Sequence, residues 1–180
     1  MGTDRSTTEA ELVGIVTLVI AVLGLVIATC TFTWNVTMFR LQGARAKVTP
    51  IIGVVISQGL VHMPASDEAV ESIKRTAREH GESLVAGVQI TNRGRLPLHV
   101  KSWAFTSLPS KAAFSPGAIP ELSPVPCEIA PGNYQILVAD VAAARALLEV
   151  ASSPQKIACK VMAGDDKTHV TPPLPQSLLT

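Results

Sequence analysis

Four histidines, three cysteines and a few serines are the side chains through which this chain could do chemistry. Their spacing decides what they can do. His62, His80, His99 and His169 stand far apart, whereas a metal centre needs three or four convergent ligands. His99 lies among apolar neighbours on a strand-like run and reads as facing outward; His80 reads as the end of a solvated helix. Asp165 and Asp166 follow Gly164, a turn pattern more than an acid/base pair. Ser83, Ser102 and Ser107 have no base near them in sequence. No G-x-S-x-G, H-E-x-x-H, Walker, C-x-x-C or G-x-G-x-x-G motif occurs. Arg93 and Arg95 flank a turn and read either as solvated charges or as a contact for an anionic partner. The residues nominate no catalytic, cofactor or metal site, and the chain reads as a non-enzyme.

The cysteines leave alternatives open. Cys127 and Cys159 would pair in an oxidising compartment or sit reduced in a core, and two cysteines do not make a disulfide framework. Cys30 ends Ile27-Ala28-Thr29-Cys30, which resembles a bacterial lipobox. Thr29 is large for that motif, the start of the chain is acidic, and apolar residues continue past Cys30, all of which disfavour an acylated cysteine.

The element that carries Cys30 is more informative than the cysteine. Leu12 to Phe39 is 28 residues without a charge, and most are apolar. About 20 helical residues cross a hydrocarbon layer ~30 Å thick. The run therefore predicts a transmembrane helix over 12–39, with residues 1–11 as a short extracytoplasmic N-terminus. A buried soluble helix of this length and all-round apolarity does not suit so small a domain. A cleaved signal is disfavoured because Asp4, Glu9 and Glu11 outnumber Arg5 where a basic n-region would stand. Trp34 and Phe39 suit the membrane interface. Arg40, Arg45 and Lys47 follow the run, so the positive-inside rule places the C-terminal domain in the cytoplasm of a single-pass protein of the cell membrane. Gly14, Thr17, Ala21, Gly24, Ala28 and Thr31 recur at alternating steps of three and four, and Asn35 continues the series. Such a small-residue seam lets two membrane helices approach closely. It predicts homodimerisation through the span, unless small residues share a face by chance.

Of the chain's 15 Lys and Arg and 14 Asp and Glu, only Arg5, Asp4, Glu9 and Glu11 precede the run, which leaves 14 against 11 in the remainder. That balance, without a basic and aromatic patch, argues against nucleic acid as a partner. The expected partners are the lipid bilayer, a second copy and an unidentified protein.

Residues 40–171 read as one β-rich domain. Ala46 to Val61 is rich in β-branched residues and predicts one or two strands, broken near Pro50. Ser66 to His80 switches to helical spacing, with Ser66 as N-cap, Val70, Ile73 and Ala77 on one face and Gly81 as the stop. Leu84, Ala86, Val88 and Ile90 alternate on a strand. Asn92-Arg93-Gly94 has hairpin chemistry and leads to Leu96, Leu98 and Val100. Trp103 and Phe105 fall in the opposite phase, which predicts a bulge near Lys101 or Ser102. A stretch with Pro109, Pro116, Pro120, Pro124 and Pro126 suits an irregular crossover. Cys127 to Ile129 and Tyr134 to Val138 flank the Pro131-Gly132 turn as a second hairpin. Asp140 caps a short helix through Leu148, and Ile157 to Ala163 with Lys167 to Val170 makes a last hairpin. Residues 172–180 read as an extended Pro-rich tail. About seven short strands with regular turns predict an all-β fold, an antiparallel Ig-like sandwich with short helical insertions. Its core is expected to hold Leu84, Ala86, Val88, Ile90, Trp103, Ile136 and Val161.

Val88, Ile90, Asn92, Gly94, Arg95, Pro97, Leu98 and Val100, followed by Ile129, Pro131 and Gly132, make a pattern of two turns. Over roughly residues 82 to 170 the chain resembles small membrane-anchored β-domain proteins of actinobacteria and their phages. That resemblance implies a fold and no activity. The leading expectation is a non-enzymatic interaction module anchored at the inner face of the membrane. The alternatives are a phage-derived or phage-defence membrane protein and a membrane-tethered enzyme of unrecognised chemistry.

Overall fold

The computed structural model describes residues 4–116, 124–149, 156–164 and 167–179, and within the first helix only the side chains of 13–38. Asp165, Asp166, Pro120 and the side chains of Phe39 and Arg40 lie outside the described residues. The chain divides into two compact units, Met1–Gly43 and Ala44–Thr180.

The first unit is a single helix, α1 (Asp4–Gln42). Its segment Val13–Met38, 26 residues, is long and apolar enough to cross a membrane, and every side chain from Val13 to Thr37 is exposed. The threonine hydroxyls are satisfied along the helix. The hydroxyls of Thr17, Thr29, Thr31, Thr33 and Thr37 each donate to the carbonyl four residues earlier, at 2.8–2.9 Å. An apolar solvent would demand that pairing.

The second unit is mostly strand. In order it contains β1 (Ala46–Ile56), β2 (Gly59–Pro64), α2 (Asp67–His80), β3 (Leu84–Asn92), β4 (Leu98–Leu108), β5 (Ala113–Phe114), β6 (Cys127–Ile129), β7 (Tyr134–Asp140), α3 (Val141–Glu149), β8 (Lys156–Ala163), β9 (Thr168–Val170) and α4 (Gln176–Leu179). Two antiparallel sheets result. One runs β2-β1-β3-β7; the other runs β5-β4-β8-β9, with β6 also on β4. One apolar cluster draws on both, with Ile52, Ala86, Val88, Ile90 and Leu137 from the first sheet and Val100, Trp103, Phe105, Ile157, Cys159 and Val161 from the second. Trp103 and Phe105 meet edge to face with centroids 5.3 Å apart, a favoured aromatic geometry. They reach the core because the β4–β8 register shifts between Val100 and Ser102. A bulge there turns the odd-numbered residues inward.

The helix α2 forms where its sequence signals place it. The Ser66 hydroxyl accepts from the Ala69 N–H at 3.2 Å, Val70, Ile73 and Ala77 are buried, and Gly81 closes the helix in the left-handed conformation. Pro50 does not break β1. Its carbonyl accepts from Ala65 N–H, so the side of the strand lacking a proline N–H faces the end of β2, where no ladder bond is needed. At Gly87 the next strand comes so close that a Cβ would overlap the Leu137 carbonyl oxygen; only glycine fits.

Four further expectations differ from the structure. Asn92-Arg93-Gly94 does not close a hairpin. Both edges of β3 are taken, by β1 and β7, so the chain crosses to the other sheet and β4 pairs there. The Pro131-Gly132 turn is likewise a crossing. Cys127–Ile129 pairs with Leu98–Val100, while Tyr134–Asp140 pairs with β3. Ile136, opposite Gln89, lies on the other face from the core residue Leu137. It packs instead on a satellite cluster of Ile51, Val85 and Val138, and Leu84 is only partly buried at the edge of the main cluster. The C-terminal segment is not a loose tail. Leu174 N–H donates to Ile157 O at 2.7 Å, and Leu174, Leu178 and Leu179 are buried in the main core. Each apolar side chain so buried is worth ~1.5–3 kcal/mol.

Candidate functional site

The two crossings between the sheets meet at one residue, Asn92, which is fully buried. Its Oδ1 accepts from Gly94 N–H at 2.9 Å and, at the long distance of 3.5 Å, from Arg45 N–H. Its Nδ2 donates to Leu96 O at 2.8 Å and to Ile129 O at 2.9 Å. Its backbone N–H goes to Asn133 O, its carbonyl accepts from Gly132 N–H, and Arg93 N–H donates to Arg45 O at 2.8 Å. One amide therefore ties together the start of β1, the 93–97 loop, the end of β6 and the 131–133 turn. A buried amide with both ends satisfied fixes a unique local arrangement.

This junction gathers residues that are remote in sequence. Arg45, Lys47, Arg93 and Arg95 are all exposed there, and so are Leu96 at 54% and Tyr134 at 58%. No acidic residue occurs in 43–49, 92–98 or 130–135. Glu128, the next carboxylate along β6, is engaged by His99 at 3.4 Å, in an exposed pair. Arg45 and Lys47 stand out in the sequence by their place after the apolar run. Their proximity to Arg93 and Arg95 was not legible, because it depends on the crossing that replaces the expected hairpin. Tyr134, the only tyrosine of the chain, opens β7 and Leu96 lies in the loop before β4, positions where alternation does not tell an exposed residue from a core one.

The other nominated residues stay apart. His62 lies on β2, His80 ends α2 with Nδ1 3.0 Å from Thr76 O, His99 is on β4 and His169 on β9. Among the described residues no group of three His, Cys, Asp or Glu could hold a metal. Ser107 is buried, and its hydroxyl meets Ser110 Oγ at 2.5 Å; Ser102 is exposed and Ser83 edges a cleft. The seam residues Gly14, Thr17, Ala21, Gly24, Ala28 and Thr31 are exposed along α1 with Trp34, and a Cβ at Gly14 or Gly24 would meet open space.

The cysteines are free. Cys159 is buried and its thiol donates to Gly87 O at 3.3 Å. Burial pushes its pKa up to about 12, against a smaller opposing effect of Thr171. Burial also raises that of Cys127. Neither is poised as a nucleophile, since the thiolate is the reactive form.

A cleft of about 440 Å³ lies between α2 and α3, where no sequence motif marks it. Lys74, Arg78, Arg145, Glu82 and Asp140 are among the residues that line it. Two of its cations hold the C-terminal segment: Lys74 Nζ donates to Ser177 O at 2.6 Å and Arg145 Nη2 to Leu178 O at 3.1 Å. Asp140 is used in capping α3 through Ala142 N–H at 2.7 Å. Arg145 Nε is buried without an acceptor among the described residues. The charges of α2, read as a solvated face, thus have a structural use that its helical spacing alone does not reveal.

No protein-family model matches the chain, and no curated protein matches it.

Proposed function

We propose that the chain is a single-pass membrane protein whose β domain is a non-enzymatic interaction module on the cytoplasmic face. The observation that carries this reading is α1, with a segment of 26 residues apolar enough to span and exposed on all sides from Val13 to Thr37. Arg40, Arg45 and Lys47 beyond it support a cytoplasmic domain through the positive-inside rule. The seam from Gly14 to Thr31 supports a homodimer through the span. At the finer level the domain is an Ig-like sandwich, supported by two antiparallel sheets that share one core. Its turns resemble those of the actinobacterial and phage membrane-anchored proteins.

Topology is tested by fusing alkaline phosphatase or a fluorescent protein after Thr180 in a bacterial host. The expected result is an inactive phosphatase and a fluorescent partner fusion, both in the membrane fraction and both unaffected by Cys30→Ser. An active phosphatase would overturn the orientation. Release of the domain by Cys30→Ser would replace the span with a lipid anchor.

A further inference from the structure

We infer that the Asn92 end of the β domain is a membrane-docking face that binds anionic lipid headgroups through Arg93 and Arg95, with Leu96 and Tyr134 seated in the interface; this rests on the membrane reading above. The geometry lies wholly within the domain. Arg93 N–H is bonded to Arg45 O, and Asn92 locks the 93–97 loop and the 131–133 turn beside it. Arg45 follows Gln42, the last residue of α1, by three positions, a reach of at most about 11 Å. A connection this short permits this end of the domain to approach the membrane surface. An exposed charge acts over a Debye length of ~8–10 Å, comparable to that reach, so the tether allows the arginines to come within range of lipid charge.

The composition of the face fits that surface. Its segments carry four cations and no acidic residue, and among the described residues neither Arg93 nor Arg95 is ion-paired. Leu96 and Tyr134 are more than half exposed on backbone fixed by a satisfied buried amide. Arginines beside a tyrosine and a leucine suit the headgroup level, where the apolar part of a side chain leaves water and its polar end stays wet. Each Lys or Arg near an anionic leaflet contributes roughly a five-fold factor in binding.

The test uses the full chain with Cys30→Ser and Cys127→Ser, reconstituted in nanodiscs of phosphatidylcholine with or without phosphatidylglycerol. An environment-sensitive fluorophore is placed through Leu96→Cys or, as control, through Gln58→Cys. Gln58 follows the other end of β1, roughly 30 Å along the strand. The expected result is a blue shift at position 96 in anionic discs, reversed by high salt and lost in Arg93→Gln/Arg95→Gln, with no shift at 58. A probe at 96 that reports water in both lipids would overturn the docking face and leave the membrane reading intact. A shift that persists in the double arginine variant would overturn the role of the arginines. Failure of the full chain to enter discs at all would overturn the membrane reading itself, and the docking face with it.

Discussion

Asn92 concentrates more of the domain's local order than any other polar side chain at the crossings. Asn92→Leu keeps the branched shape of the side chain, adds bulk and removes every side-chain bond. The Leu96 and Ile129 carbonyls and the Gly94 N–H then lose their partner, at ~1–3 kcal/mol for each buried group against a total stability of ~5–15 kcal/mol. A large drop in the thermal midpoint of the domain is expected. Asn92→Asp keeps the acceptor and loses both donors, so a carboxylate faces two carbonyl oxygens. It should recover part of the lost stability on acidification, when the acid can donate once. A midpoint in either variant close to the parent's would show that the crossings hold themselves. Cys159 gives a second pH prediction, of the same sense but in the alkaline range. Its thiol is pushed up to about 12 from an ordinary 9.0, so the folded state favours the protonated form. That contribution is complete below pH 9, where the unfolded thiol is also protonated, and is lost as pH rises toward 12. Denaturant midpoints measured from pH 8 upward should fall more steeply for the parent than for Cys159→Ala. The thiol should also resist a disulfide reagent until denaturant is added; rapid native labelling of Cys159 would contradict its burial.

At the scale of elements, the core face of β3 and the docking of α4 are each open to a single substitution. Val88 is fully buried opposite Leu137 and Pro50. Val88→Asp places a carboxylate there without a partner, at a cost of several kcal/mol, and the fragment from Arg45 onward should show no cooperative unfolding transition. A transition near the parent's would mean the register is wrong. Leu178→Ala removes a fully buried side chain at ~2–5 kcal/mol. It should lower the domain's thermal midpoint; a midpoint equal to the parent's would mean that α4 does not dock. These elements also show which parts of the fold sequence can disclose. The α2 caps and the β4 bulge were legible because Ser66, Gly81 and the phase change at Trp103 act through near neighbours. The two hairpins were misread because Asn-x-Gly and Pro-Gly chemistry specifies a change of direction and leaves the pairing partner open. Which strand pairs with which depends on the edges left free, a property of the whole sheet. The docking of residues 172–179 was hidden for a related reason. Leu174 and Leu178 look like isolated apolar residues among prolines until β8, beside Leu174, and the helices α2 and α3, beside α4, are in place. The candidate face shows the same division: Arg45 and Lys47 stand out by position along the chain, and Arg93 and Arg95 join them only through the crossing.

For the whole molecule, the open question with the largest physical consequence is whether α1 acts alone. In water an exposed helix from Val13 to Thr37 would be driven to bury its surface; in lipid that drive vanishes, and association has to come from close packing and hydrogen bonding. Its threonine hydroxyls are already bonded to their own helix, so they add contact surface and little unmet polarity. Close packing must then come from the small residues. At 3.6 residues per turn, Gly14, Thr17, Ala21, Gly24, Ala28 and Thr31 fall within an arc of about 100°, a stripe along which two backbones can approach. Gly24 is its centre, with Ala21 and Ala28 a turn away on either side, and space beside it is open. Gly24→Ile fills that space and should push the helices apart, weakening association by on the order of 1 kcal/mol or more. Leu25→Ile changes an adjacent face while keeping volume and hydrophobicity, so insertion and association should both persist. A reporter of helix association in a bacterial membrane decides the matter. Loss of signal in Gly24→Ile alone identifies the seam as the contact. Equal signals in the parent and both variants would make the stripe an accident of composition. A parent no stronger than a monomeric control would leave one helix per anchor, and any assembly would then have to come from the β domain.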